Sequence, residues 1–95
     1  MKRVENNCLN AKEFIFLFQS VGWEAPELPQ VETALENSLC TFSLYEENKI
    51  IGMARLLGDK AMSFYIKDFA ILPERQGEGN GKFLMDTIIS MVKNE

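Results

Sequence analysis

The sequence predicts a single α/β domain of the α+β kind: a mixed, mainly antiparallel sheet flanked by helices. Three observations predict it. Two helix-like segments open the chain, marked by a cap signal and an early proline. Residues 39 to 72 then hold three strand-like runs joined by short turns. A glycine-rich turn and one apolar-periodic segment close the chain.

The elements follow in order. The polar residues 1 to 9 allow a short first strand around Arg3 to Glu5. Asn10 with Glu13 three places on is a helix N-cap signature, and Gly22 is a stop, so a helix is expected over 11 to 21. Its run Phe14-Ile15-Phe16-Leu17-Phe18 wraps more than one helix face. The loop "GWEAPELP" is marked by Gly22, Pro26 and Pro29, and "PQVETALENS" reads as a short helix with Pro29 in its first turn. "LCTFSLYEE" and "IIGMARLL" form a hairpin over 39 to 57 with a turn at Asn48-Lys49. Gly58-Asp59-Lys60 turns the chain again, and "MSFYIKDFAIL" (62 to 72) is a third long strand. From Gly79 the pattern is helical, with Leu84, Ile88, Met91 and Met85, Ile89, Val92 on a broad apolar face.

The totals narrow the function classes. A chain of 95 residues argues for one domain, 1 to 95, and can bury about two thirds of its surface. The apolar share of 46% excludes disorder. Net charge is −4, and no basic stripe interleaved with aromatics exists, so nucleic acid is not an expected partner. Cys8 and Cys40 are far apart, and the chain has no histidine, so no metal site is expected. Free thiols suit a reducing cytoplasm. No signal peptide is visible, and "FIFLF" is too short to cross a bilayer, so no membrane partner is expected either.

The stretch "ILPERQGEGNGKFLM" (71 to 85) carries the functional signal. Gly77, Gly79 and Gly81 alternate just where a helix must start. The first turn of a helix has N–H groups without intrahelical partners, and the helix dipole adds partial positive charge. Glycines let an anion approach those groups without meeting a Cβ atom. The plain alternative is a strand-to-helix turn, which one glycine would serve. A P-loop is excluded, because Gln76 stands at the first glycine position and Phe83 replaces the Ser/Thr. The dinucleotide fingerprint fails at Lys82.

A third pattern fits. Gln76-Gly77-Glu78-Gly79-Asn80-Gly81 matches Q/R-x-x-G-x-G/A, preceded by "LPER" at a strand end. The stretch "DFAILPERQGEGNGKFLM" resembles the fourth strand, pyrophosphate loop and third helix of the GCN5-related N-acetyltransferase (GNAT) family. The upstream order of elements is similar too, so the resemblance covers residues 10 to 95.

The resemblance implies acetyl-CoA as cofactor. Backbone groups of Phe69, Ala70 and Ile71 would meet the pantetheine arm. The loop from Gln76 through Gly77, Glu78, Gly79, Asn80 and Gly81 to Lys82 would hold the pyrophosphate, mainly by main-chain N–H groups. Glu78 departs from the basic residue frequent at its position; a carboxylate there repels a phosphate unless it is turned away, and Lys82 would offset it. The implied reaction is direct attack of an amine on the acetyl thioester. The acceptor class, small-molecule or peptide, stays open among small amines, polyamines, amino acids and protein N-termini. Trp23, Glu24 and the first-helix aromatics would lie near the acceptor groove, although Phe14 to Phe18 and Trp23 also read as core.

Asp68 is the candidate proton acceptor or ammonium ligand, since no histidine exists. Strict alternation places it beside Phe64, Ile66, Ala70 and Leu72. The other reading is a cross-strand pair with Arg55, or a bulge that turns Asp68 outward. The family pattern also continues past "SMVKNE" with further strands and a helix, which carry the tyrosine that often protonates the departing thiolate. No residue here takes that role. The strand at 62 to 72 is therefore expected at a sheet edge, covered by a second copy in a dimer, unless the 95 residues are a fragment of a longer protein. Two functions compete: an acetyl-CoA-dependent N-acetyltransferase, and a non-catalytic CoA-binding or interaction module. A nucleotide-binding protein is a third and weaker idea.

Overall fold

In the computed structural model, which describes residues 1 to 93, four strands form one sheet in chain order: β1 (Lys2–Asn6), β2 (Cys40–Glu46), β3 (Lys49–Gly58) and β4 (Phe64–Ile71). Every neighbouring pair is antiparallel. The helices are α1 (Ala11–Ser20), α2 (Leu28–Glu36) and α3 (Asn80–Lys93), with a short 3-10 turn at Pro73–Arg75. Helices α1 and α2 cover one face of the sheet, and α3 covers the other. The mixed α/β class read from the sequence is the class observed.

Local chemistry sets the element ends. Helix α1 starts on a capping box: Glu13 N–H donates to Asn10 Oδ1 at 2.8 Å, and Asn10 N–H donates to Glu13 Oε1 at 3.1 Å. Phe14 and Leu17 are buried, but Phe16 is 54% exposed and Trp23 43%. The core reading of those two aromatics is therefore corrected: a 3.6-residue repeat cannot turn all five residues 14 to 18 inward, and Trp23 lies in the loop past the end of α1, edge-on against Phe18. The β2–β3 turn is centred on Glu47 and Asn48, one residue before the expected pair, and Glu47 takes the left-handed φ of 59°.

Strand β4 begins two residues later than expected. The Asp59 carboxylate accepts N–H groups from Ala61, Met62 and Ser63 at 2.9, 2.9 and 3.0 Å, which holds Met62 and Ser63 in the turn.

Further along, the β3–β4 register shifts. Met53 faces Ala70, but Arg55 faces Lys67, so β4 holds one extra residue. Asp68 sits in that bulge with φ 53°. Strict alternation fails there: Asp68 lies on the α1–α2 side, whereas Phe64 and Ile66 line a hollow against α3. The expected company of Asp68 with Phe64 and Ile66 is thus overturned by the bulge.

The α3 face of the sheet is filled by Phe42, Leu44, Ile51, Leu56, Leu84 and Ile88, and the α1–α2 face by Phe14, Leu17, Val31, Met53 and Ala70. The outer edge of β4 faces no strand among the described residues. Beside it, Phe64, Ile66 and Ile89 are 38%, 37% and 42% exposed.

Candidate cofactor and acceptor site

The site is assembled around the second half of β4. After Ile71 the chain passes the 3-10 turn, and Gln76 Nε2 reaches back to donate to Ile71 O at 2.9 Å. Gly77 and Gly79 have φ of 80° and 85°. This is the left-handed region, open to glycine at little cost. A Cβ atom at either position would meet nothing within 4 Å, so the space over the loop is open.

The first α3 hydrogen bond runs from Phe83 N–H to Gly79 O, at 3.0 Å. Among the described residues, no acceptor is recorded for the main-chain N–H groups of residues 77 to 82. Together with the positive end of the 14-residue α3, they form a cradle of donors. The open space and free donors fit the diphosphate of a CoA-type cofactor.

The side chains of the loop mostly serve its shape. Asn80 is 1% exposed; its Nδ2 donates to Arg75 O at 2.8 Å. Glu78, which the sequence marked as a problem for an anion, accepts from Arg75 Nε at 3.0 Å. Arg75 also donates to Glu46 at the end of β2. Lys82 turns to Asp86 at 2.7 Å, and that bond raises its pKa. Lys82 is therefore half-committed within its own helix and does not simply offset Glu78.

On β4, consecutive residues serve opposite faces. Gly81 packs over Phe69, where an added Cβ would lie 3.8 Å from Phe69 Cε1. Ala70 enters the α1–α2 core. Asp68, two residues before Ala70, lines a cavity of about 220 Å³ between α1, α2 and the sheet, with Phe14, Phe18, Gln30, Arg55 and Lys67. Arg55 Nε donates to Asp68 Oδ2 at 2.7 Å, and Arg55 Nη1 donates to Ala34 O and Ser38 Oγ. Of the readings that competed with a free Asp68, the Arg55 pair is present; the bulge is present too, but it turns Asp68 into the cavity, with its side chain 15% exposed, and not outward. Among the described residues, Asp68 Oδ1 accepts no hydrogen bond, and Asp68 lines the cavity. A second hollow, about 270 Å³, lies under the end of α3 and contains none of the candidate residues.

Residues 9 to 95 match the model of the acetyltransferase (GNAT) family. The chain belongs to the GNAT family. This GNAT chain is 40% identical over 94 residues to the uncharacterized N-acetyltransferase ycf52 of Gracilaria tenuistipitata var. liui, covering 95% of this chain and 52% of that protein. It thus spans about half the length of that curated relative. A probable acetyltransferase from meticillin-resistant Staphylococcus aureus superposes with a TM-score of 0.90 at 31% identity, over 99% of this chain and 71% of that one. A GNAT family protein of Streptococcus pneumoniae gives 0.84 at 28%, over 98% and 69%.

Within this GNAT fold, the candidates on β4 and the loop fall into one continuous region, from Asp68 to Lys82. Arg55, Arg75, Glu46 and Lys67 had no expected place in it, except Arg55 as a partner for Asp68. Arg75 and Glu78 are three residues apart, a spacing that a charge-pattern reading can pick up. Glu46 is 29 residues from Arg75 and gives no local signal. Among the described residues, no group of three acidic, cysteine or histidine side chains could hold a metal. No described helix is long and apolar enough to cross a membrane.

Proposed function

We propose that this chain carries the cofactor half of an acetyl-CoA-dependent N-acetyltransferase. The observation that carries the reading is the row of N–H groups at residues 77 to 82, which have no acceptor among the described residues, beside a strand edge that no described strand pairs. Bound acetyl-CoA would supply an activated acetyl thioester, whose C–S bond would break as the amine nitrogen bonds the acetyl carbon, the proton lost by that nitrogen passing to the sulfur so that CoA leaves as its thiol.

The chain's residues divide the work. Residues 77 to 82 receive the diphosphate on main-chain donors, whereas the Gln76 N–H is already given to Pro73 O and its side chain to Ile71 O, so Gln76 shapes the loop and donates nothing to the diphosphate. The open edge of β4 at Phe69 and Ala70 offers backbone groups to the pantetheine arm, while Ile71 O is already held by Gln76. The acceptor amine enters the cavity between α1 and α2. There Asp68 Oδ1 accepts a hydrogen bond from the ammonium and takes its proton, while Arg55 fixes the carboxylate through Oδ2. The amine then attacks as a neutral nucleophile. We assign the acceptor to small or peptide amines, and the exposed β4 edge with Phe64 and Ile66 to contact with a second copy of the chain.

The test is release of free CoA thiol from acetyl-CoA with a panel of amines, alongside a CoA titration. Thiol release that depends on the amine supports the enzyme. CoA binding without release supports the non-catalytic module. Absence of CoA binding removes both.

A further inference from the structure

The loop carries a carboxylate where an anion must bind, and Arg75 is built to neutralise it. Three observations meet here. Glu78 lies between Gly77 and Gly79, inside the row of free N–H groups. Its Oε1 is held by Arg75 Nε at 3.0 Å. Arg75 is itself anchored: it donates to Glu46 at the end of β2, and its carbonyl accepts from the buried Asn80 side chain at 2.8 Å. The arginine is thus fixed from the sheet and from the helix, on its side chain and on its main chain. Its side chain is 28% exposed, against 50% for Glu78.

We propose that Arg75 is a positioning residue for cofactor binding: tethered by Glu46, it draws the Glu78 carboxylate aside and leaves the N–H groups of residues 77 to 82 free for a diphosphate. This rests on the cofactor reading above. Without Arg75, the Glu78 carboxylate stands uncompensated inside the donor row; Glu46, at the end of β2, serves to hold the arginine in place. Like charges at this spacing repel, and the repulsion weakens with salt.

Calorimetric titration of the intact chain with CoA and with dephospho-CoA tests this. Arg75→Gln is expected to weaken binding of both ligands by about two- to fivefold at low salt, within the range of an exposed ion pair, and less at high salt. Glu78→Gln alone is expected to tighten binding. The decisive comparison is Arg75→Gln on the Glu78→Gln background, where its effect should shrink to less than about twofold if Arg75 acts through Glu78. An Arg75→Gln loss of equal size on both backgrounds means that Arg75 acts on the ligand directly and overturns the proposal. Unchanged binding by Arg75→Gln, or by Glu78→Gln, overturns it too. Glu78 is exposed, so its variant reads out even if Arg75→Gln fails to fold. Should the unaltered chain bind neither ligand, the cofactor reading itself fails, an outcome distinct from the others.

Discussion

Arg55 on β3 donates from Nε to Asp68 Oδ2 on β4 at 2.7 Å, across a bulge that holds Asp68 at φ 53°. The pair is largely shielded, with side chains 12% and 15% exposed. It links the cavity between α1, α2 and the sheet to the strand that leads into the glycine loop. Its loss should be felt in both stability and chemistry.

Asp68→Asn separates those two effects. Asparagine tolerates a positive φ, so the bulge should survive. Arg55 loses its counter-ion, and unfolding in denaturant should show a loss of about 1–3 kcal/mol. If Asp68 also takes the proton, acetyl transfer should fall by at least about 100-fold while CoA affinity changes little. Full transfer by the variant would remove Asp68 from the chemistry.

Gly79→Asp addresses the loop. Its φ of 85° makes an L-residue there cost about 1 kcal/mol, and the open space around it leaves room for the side chain. Folding should therefore persist, as circular dichroism can check. The new carboxylate over the donor row should reduce CoA affinity beyond calorimetric detection. Undiminished affinity would take the loop out of the account.

Much of this was legible in the sequence, and the reasons differ by element. The Asn10–Glu13 capping box, the hairpin and the glycine loop are local signals, in which a few neighbouring residues determine the geometry. Asp59 hid the true start of β4, because a carboxylate gathering three N–H groups looks like any turn aspartate. The bulge at Asp68 was one of two open readings. It depends on register against β3, and period-2 reasoning cannot locate an extra residue. The Glu46–Arg75 tie was invisible for a simpler reason: only the folded sheet brings the end of β2 to the loop.

Asp59 also yields a pH expectation. Hydrogen bonds from the N–H groups of Ala61, then Met62 and Ser63, hold its pKa below the ordinary aspartate value. A group with a depressed folded pKa stabilises the fold above its unfolded pKa, and that support is lost as pH falls through the folded pKa. Amide exchange of residues 61 to 63 should therefore lose protection on acidification below the usual aspartate range. Asp59→Asn should flatten that dependence. A parallel profile in the variant would assign the acid sensitivity to another group.

The most direct measurement follows the backbone amide signals of residues 77 to 82 by heteronuclear NMR while CoA is added to the intact chain. The largest shifts are expected at those amides, followed by Phe69 and Ala70 on the open strand edge. Shifts concentrated elsewhere, or amides of residues 77 to 82 that do not respond while CoA binds, would contradict the account.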